Sequence, residues 1–391
     1  MGPSSAKPSS WFSDERTRGF IYQTLLLGCI AALACGAIYN AVVNMRARGI
    51  PMGFGFWNDV AGFDINLHLI NYSNLSTYGR AFWVGLLNTL LIAVISIPLA
   101  TLLGFVIGVA RLSPNWLLSR FALVYTSLMR NIPLLLLLLF WYNAVLKSLP
   151  GPRQSISIGD LVFLNNRGLY LPLPVARDPA AWFLGAVLMG VALAIGFRMW
   201  AKRRQDRTGA QSPTALVAAA LILGLPTVVT AMAGAPFSFD VAQLSGFNLK
   251  GGLQIIPEMA ALVVGLVTFT AAFIAEIVRA GVMAVSVGQI EAAGALGLHR
   301  GLSMRLVVIP QAMRLITPPL TSQYLNVVKN SSLAVFIGYP DLVQIFAGTV
   351  LNQTQAAVQV MAITMAVYLV ISLSVALALN AFNERYALKG R

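Results

Sequence analysis

The chain alternates between long apolar runs and shorter stretches crowded with proline, glycine and charge. A helix needs about 20 mostly apolar residues to cross the hydrocarbon of a bilayer. Runs of that kind fall at about 20–42, 82–110, 131–149, 181–200, 214–234, 258–285, 315–337 and 357–380. The ten-residue alternation of a transmembrane barrel strand is absent. The pattern predicts an all-α polytopic membrane protein of about eight transmembrane helices, with both termini on one side. Ser113-Pro114-Asn115 marks a turn, and Asn131-Ile132-Pro133 reads as a helix start with proline near its first turn. Within the second run Gly104 and Gly108 form a small-xxx-small pair that lets another helix approach closely. Residues 43–80 read as an interfacial segment, and residues 150–180 and 235–256 read as loops.

Composition strengthens this reading. The chain is 58% hydrophobic and 10% charged, with a mean hydropathy of +0.76, whereas soluble domains carry about 25% charged residues. The net charge of +14 does not mark a nucleic-acid partner, because the basic residues sit at the ends of apolar runs. With the N-terminus inside, eighteen of the 27 Lys and Arg residues fall on the cytoplasmic side and eight on the other; Lys329 lies within a span. That asymmetry orients helices in a membrane and places residues 286–312 in the cytoplasm. Cys29 and Cys35 lie on the first run and read as small apolar packing residues. Leu26-Leu27-Gly28-Cys29 has the look of a lipoprotein cleavage box. However, Asp14 and Glu15 precede it and the run continues to about residue 42, so a retained helix after a polar tail at 1–19 is the expectation.

The segment 286–312 is too organised for a simple return loop, which can be five polar residues long. Glu291 to Ala295 are good helix formers, and Glu291 is placed near the helix start, where its charge complements the macrodipole. Gly297 breaks that helix, and a short basic amphipathic helix is expected at about 301–308. Two short helices joined at Gly297 make either a rigid cytoplasmic knob or a helix-turn-helix lying at the headgroups, with its arginines against anionic lipid.

The spacing Glu291-Ala292-Ala293, Gly297, then Val307, Ile309 and Pro310 resembles the EAA motif of ABC importer permeases, the family whose loop forms a coupling helix docked into the ATPase. Tyr78 to Ala81, Gly85 to Thr89, Arg111 to Ser113 and Arg130 to Leu134 resemble the polar amino-acid permeases, as do Glu276 to Gly281, Lys329 to Leu333 and Ile337-Gly338. Residues 150–256 form an insert with two extra spans, which resembles the larger Q-type subunit of general L-amino-acid permease systems. The resemblance implies a type I ABC importer permease fold with an inserted helix pair, divided as tail 1–19, first helices 20–149, insert 150–256 and core 257–391. It implies no catalysis and no cofactor in this chain, with ATP and Mg bound by a partner. The implied partners are a sister permease subunit, two cytoplasmic ATP-binding subunits, a periplasmic amino-acid-binding protein and membrane lipid. The implied location is the bacterial inner membrane with both termini cytoplasmic. Glu291, Ala292, Ala293, Gly297 and Pro310 would couple to the ATPase.

A transport path needs polar groups at membrane depth, where a central Lys costs roughly 2.5–3.5 kcal/mol on insertion scales. The seventh run accepts that cost. Gln323, Asn326 and Asn330 are spaced i, i+3 and i+7 on one face, and Lys329 and Ser332 lie beside them. Asn88 and Thr89 fall within the second run and Glu276 within the sixth. A zwitterionic amino acid asks for both signs, which singles out Glu276 and Lys329. The alternative role for each is bonding helix to helix, or snorkelling in the case of Lys329. An ion-coupled secondary transporter is the rival function, but no repeat of halves is evident and the loop would be unexplained. An enzyme is not expected, because phosphate-loop, HExxH and GxSxG motifs are absent, and no metal site is expected.

Overall fold

The computed structural model describes residues 15–47, 49 and 53–386, with side chains described from residue 18 to residue 381. Apolar runs fold as helices because hydrocarbon offers no partner to a free N–H or C=O. The main helices are α1 (Glu15–Ala47), α2 (Tyr78–Arg111), α3 (Trp116–Asn131) and α4 (Leu134–Leu139, continued by a π-helical turn Phe140–Leu146), then α5 (Ala180–Thr208), α6 (Thr214–Ala233) and α7 (Pro257–Met283). After them come α8 (Val287–Ala295), α9 (Arg300–Ser303), α10 (Ile309–Asn330), α11 (Leu351–Thr354) and α12 (Ala357–Tyr386). Six are long and apolar enough to span a membrane, and the bent pair of α3 with α4 makes a seventh. The eighth expected span is α10, whose 22 residues reach about 33 Å by helical rise but whose polarity sets it apart. The expected tail at 1–19 is helical from Glu15; its first fourteen residues lie outside the described residues, as do residues 387–391.

The helix start read at Asn131-Ile132-Pro133 is present: α3, an amphipathic helix, ends at Asn131, and α4 begins at Leu134 at 105° to it. Ile132 is extended at φ −89°, ψ 129°, because Pro133 disfavours the helical region for the residue before it.

Contacts divide the chain into two units, residues 1–90 with 340–380 and residues 91–339 with 381–391. The first has a core of Ala61, Ile65, Phe82, Val84, Leu342, Phe346 and Val360. Trp57 closes it at 5.2 Å from the Phe82 ring. Here α1 stays exposed along most of its length, and Cys29 and Cys35 are exposed free thiols. They therefore do not pack among the described residues.

In the second unit α7 is the central element, with Ile274 and Val278 packed among Ala100, Val308, Ala312 and Ile316. The predicted close approach at Gly104 and Gly108 is present. A Cβ on Gly104 would lie 2.6 Å from Ile274 Cβ, and one on Gly108 2.8 Å from Val278 Cβ. The insert helices α5 and α6 pack on each other through Gly190, where a Cβ would sit 2.6 Å from the Leu221 carbonyl oxygen.

The segments 150–180 and 235–256 are not the loops expected; they carry eight short strands. β1 (Ile156–Ile158), β2 (Val162–Asn165), β3 (Gly168–Leu171) and β8 (Leu253–Ile255) form one antiparallel sheet in that order. β4 (Leu173–Ala176) pairs with β5 (Phe237–Asp240), and β6 (Gln243–Ser245) with β7 (Asn248–Lys250). Strands of three or four residues carry too short a period to read from sequence, and the pairing of β3 with β8 joins segments from opposite ends of the insert. That pairing, with the Asn166 N–H donating to the Pro150 carbonyl at 3.0 Å, brings the insert's entrance and exit together.

Candidate functional site: a capped knob and a polar helix face

The segment between α7 and α10 is a knob with defined chemistry at its bend. Leu298 N–H donates to Ala293 O at 3.1 Å and Gly297 N–H to Gly294 O at 2.9 Å. These two bonds are the Schellman pattern, which places a left-handed residue just past the helix end. Gly297 holds φ +77° there, a conformation that an L side chain adopts only at a cost. Ala293 is 3% exposed and accepts the longer of the two capping spans, so the four-residue spacing from Ala293 to Gly297 is the geometry of one helix cap. The knob is tied to its helices by Val285 and Val308 in the α7–α10 core and by Gln311 Nε2, 3.3 Å from Gln289 Oε1.

Two expectations about this segment change. Glu291 is the fifth residue of α8, and no acidic residue stands in its first turn, so macrodipole pairing is not its role; it is exposed with Ala292. The second short helix is split into α9 and a π-helical turn at Met304–Val308, running into α10 with Pro310 at its start, where a missing N–H leaves no gap. What sequence reasoning missed is the apolar surface that surrounds Glu291. Val287 is 67% exposed and Leu296 81%, and Ile290 joins them. The available signal was three apolar residues, Val287, Ile290 and Leu296, in a segment expected in the cytoplasm, since apolar side chains exposed together mark a docking surface.

The path candidates separate into three groups. Asn88 and Thr89 are fully buried. Asn88 Nδ2 donates to the Leu67 and Pro340 carbonyls, both at 2.8 Å, and Thr89 Oγ1 accepts from the Leu342 N–H at 3.1 Å. They clamp the turn at Pro340 to α2. Glu276 is occupied as well. Arg111 and Arg279 pair with it, Arg279 Nη2 lying 2.5 Å from Oε1, and Arg130 stands at 3.5 Å. A carboxylate held by three guanidiniums is not offered to a substrate amine. The third group stays open: Asn326 and Lys329 are exposed along one side of α10, where Ser322 is exposed too, while Gln323 and Asn330 are half-buried at its margin. Lys329 has no ion-pair partner among the described residues. Ser332 Oγ donates to the Lys329 carbonyl at 2.6 Å, which makes it a cap of that turn.

Residues 209–388 match the family described as binding-protein-dependent transport system inner membrane component. The chain is 50% identical over 388 residues to the amino-acid ABC transporter permease protein YhdX of Escherichia coli, covering 99% of each. It belongs to the ABC-transporter permease family. It is also 46% identical over 384 residues to the general L-amino acid transport system permease protein AapQ of Rhizobium johnstonii, covering 97% of this chain and 94% of the relative. A third relative is the glutamate/glutamine/aspartate/asparagine transport system permease protein BztB of Rhodobacter capsulatus, 39% identical over 409 residues at 97% and 96% coverage. In this permease the knob of α8 and α9 is the EAA segment, and it joins the central helix α7 to the polar helix α10.

Proposed function

We propose that the chain is the permease subunit through which an ATP-driven importer passes L-amino acids, working in the bacterial inner membrane with both termini cytoplasmic. The observation that carries this reading is the knob: a capped, apolar-faced projection whose only covalent connections are to α7 and α10. The exposed groups Val287, Ile290 and Leu296 fit a groove on a cytoplasmic ATP-binding subunit, with Glu291 and Ala292 beside them and Ala293 and Gly297 fixing the shape. Two such subunits bind and hydrolyse Mg–ATP, since this chain carries no phosphate loop. Movement of the knob reaches α10 directly, through Val308 and Pro310.

The exposed polar side of α10 is the candidate wall of the path. Polar groups at membrane depth face protein or water, not lipid, so Ser322, Asn326 and Lys329 face a sister permease subunit with the substrate route between them. Lys329 would meet a substrate carboxylate. Relatives named for L-amino acids and for acidic amino acids and their amides support the substrate class, and a periplasmic binding protein supplies the solute.

The test is a cysteine in place of Leu296 in the assembled transporter. Crosslinking to the ATP-binding subunit, changed by ATP, is expected. Crosslinking only to lipid or to other parts of this chain would overturn the assignment of the knob.

A further inference from the structure

One charged cluster is left over from this function. Arg111, Arg130 and Arg279 converge on Glu276, and three guanidiniums against one carboxylate leave two positive charges in excess. Arg279 is used up, with Nε and Nη2 on Glu276 and Nη1 on Met283 Sδ at 2.7 Å. Arg130 is not. It reaches Glu276 only at 3.5 Å, its side chain is 42% exposed, and its guanidinium lies 5.5 Å from the Phe273 ring centre.

The cluster stands where helices end. Arg111 is the last residue of α2 and Arg279 is in the closing turns of α7, at the membrane face that carries the knob. α4 packs on α7, where Leu138 meets Gly265, and α3 meets α4 at 105°, so α3 runs across the helix ends here. Ser119 Oγ near its start donates to the Arg111 carbonyl at 3.1 Å, and Arg130 near its end reaches Glu276. Those residues are about 16 Å apart along a helix, yet both meet the same level. α3 also leaves a stripe uncovered, with Leu117 56%, Phe121 70%, Val124 62% and Leu128 53% exposed, while Ala122 and Thr126 are buried. Apolar residues spaced four, three and four apart on a surface-lying helix, with an excess of positive charge at one end, match a molecule that is anionic at its head and apolar along its body.

We infer that Arg130, with Arg111, and the outer stripe of α3 form a binding site for an acidic phospholipid. The single negative charge of the phosphodiester sits against Arg130 and Arg111 and offsets one of the two excess positive charges, and the acyl chains cover Leu117, Phe121, Val124 and Leu128. Basic pockets between helices at a cytoplasmic face hold acidic headgroups by this chemistry. The site stabilises the junction of α2, α3 and α7 directly above the knob, and it does not depend on what the permease carries.

The experiment takes the intact transporter, partner subunits included, into nanodiscs of phosphatidylcholine with a minority of phosphatidylglycerol. Native mass spectrometry then counts retained acidic lipid. Wild type is expected to retain phosphatidylglycerol against detergent washing and against excess inorganic phosphate. Arg130→Gln should retain about fivefold less, the contribution of one basic residue at an anionic surface. Arg120→Gln removes the same charge from the same helix, outside the cluster, and should retain as much as wild type. Equal losses in both variants would reduce the site to diffuse surface charge, and displacement by inorganic phosphate would make it a free-anion site; either overturns the inference. A photoreactive group at Phe121 should label acyl chains, and labelling of the sister permease there would also overturn it. Should Arg130→Gln fail to assemble, the phosphate competition and the Phe121 labelling decide between these outcomes on otherwise wild-type protein.

Discussion

Replacing Gly297 with valine attacks the bend of the knob and nothing else. A Cβ at this position meets no atom within 4 Å, so the substitution acts through backbone conformation alone. Keeping φ near +77° costs a β-branched residue about 1–2 kcal/mol. Escaping it breaks the two capping hydrogen bonds from Gly297 and Leu298, each worth about 0.5–1.5 kcal/mol. By either route the native bend is disfavoured by roughly 2 kcal/mol, which is about a thirtyfold shift in its population. The assay is ATP-dependent uptake per assembled complex, with copurification of the ATP-binding subunit measured beside it. Membrane insertion should be normal, while uptake and copurification fall together. Gly294→Ala is the counterpart: Gly294 lies within α8 with open space around it, and alanine there should stabilise the helix by about 0.5–1 kcal/mol with transport preserved. Normal uptake by Gly297→Val would show that the cap geometry does not carry the coupling.

Other variants test the remaining assignments. Glu276→Gln should lower the melting temperature of the complex and its yield, because Arg111 and Arg279 would lose their charged partner at a cost of about 1–3 kcal/mol; an unchanged melting temperature with reduced uptake would return Glu276 to the substrate path. Lys329→Met should do the reverse, lowering uptake per complex without lowering stability, since Lys329 is exposed and without an ion pair among the described residues; stability loss alone would remove it from the path. Deleting residues 150–256, joined at 149 and 257, should leave assembly and transport measurable, because the insert's two ends meet and its helices pack on each other. Loss of all transport in an assembled deletion complex would contradict that placement.

Much of the helical frame was legible because apolar runs of spanning length leave few alternatives, and the glycine pair at 104 and 108 announced a close helix neighbour. The knob was legible through Gly297, read from the sequence as the end of its first helix, although the capping bonds to Ala293 and Gly294 were not. The β-strands of the insert were not, since a strand of three residues has no readable period and β3 finds its partner at the far end of the insert. Nor could the sequence say that Glu276 would be surrounded: Arg111 and Arg130 are distant in the chain and reach it only because α2 and α3 end beside α7. A polar residue in an apolar run reports that it has a partner, not which one. For Asn88 the partners include two backbone carbonyls, and for Lys329 the side chain is left facing outward.

If the knob is a coupling element, this chain moves solute only within an ATP-driven assembly. Reconstitution decides the point: purified permease and its sister subunit in liposomes, with and without the ATP-binding subunits, assayed for amino-acid uptake in the presence of the binding protein. Uptake is expected only when the ATP-binding subunits and Mg–ATP are both present. Uptake driven by an ion gradient in their absence would contradict it.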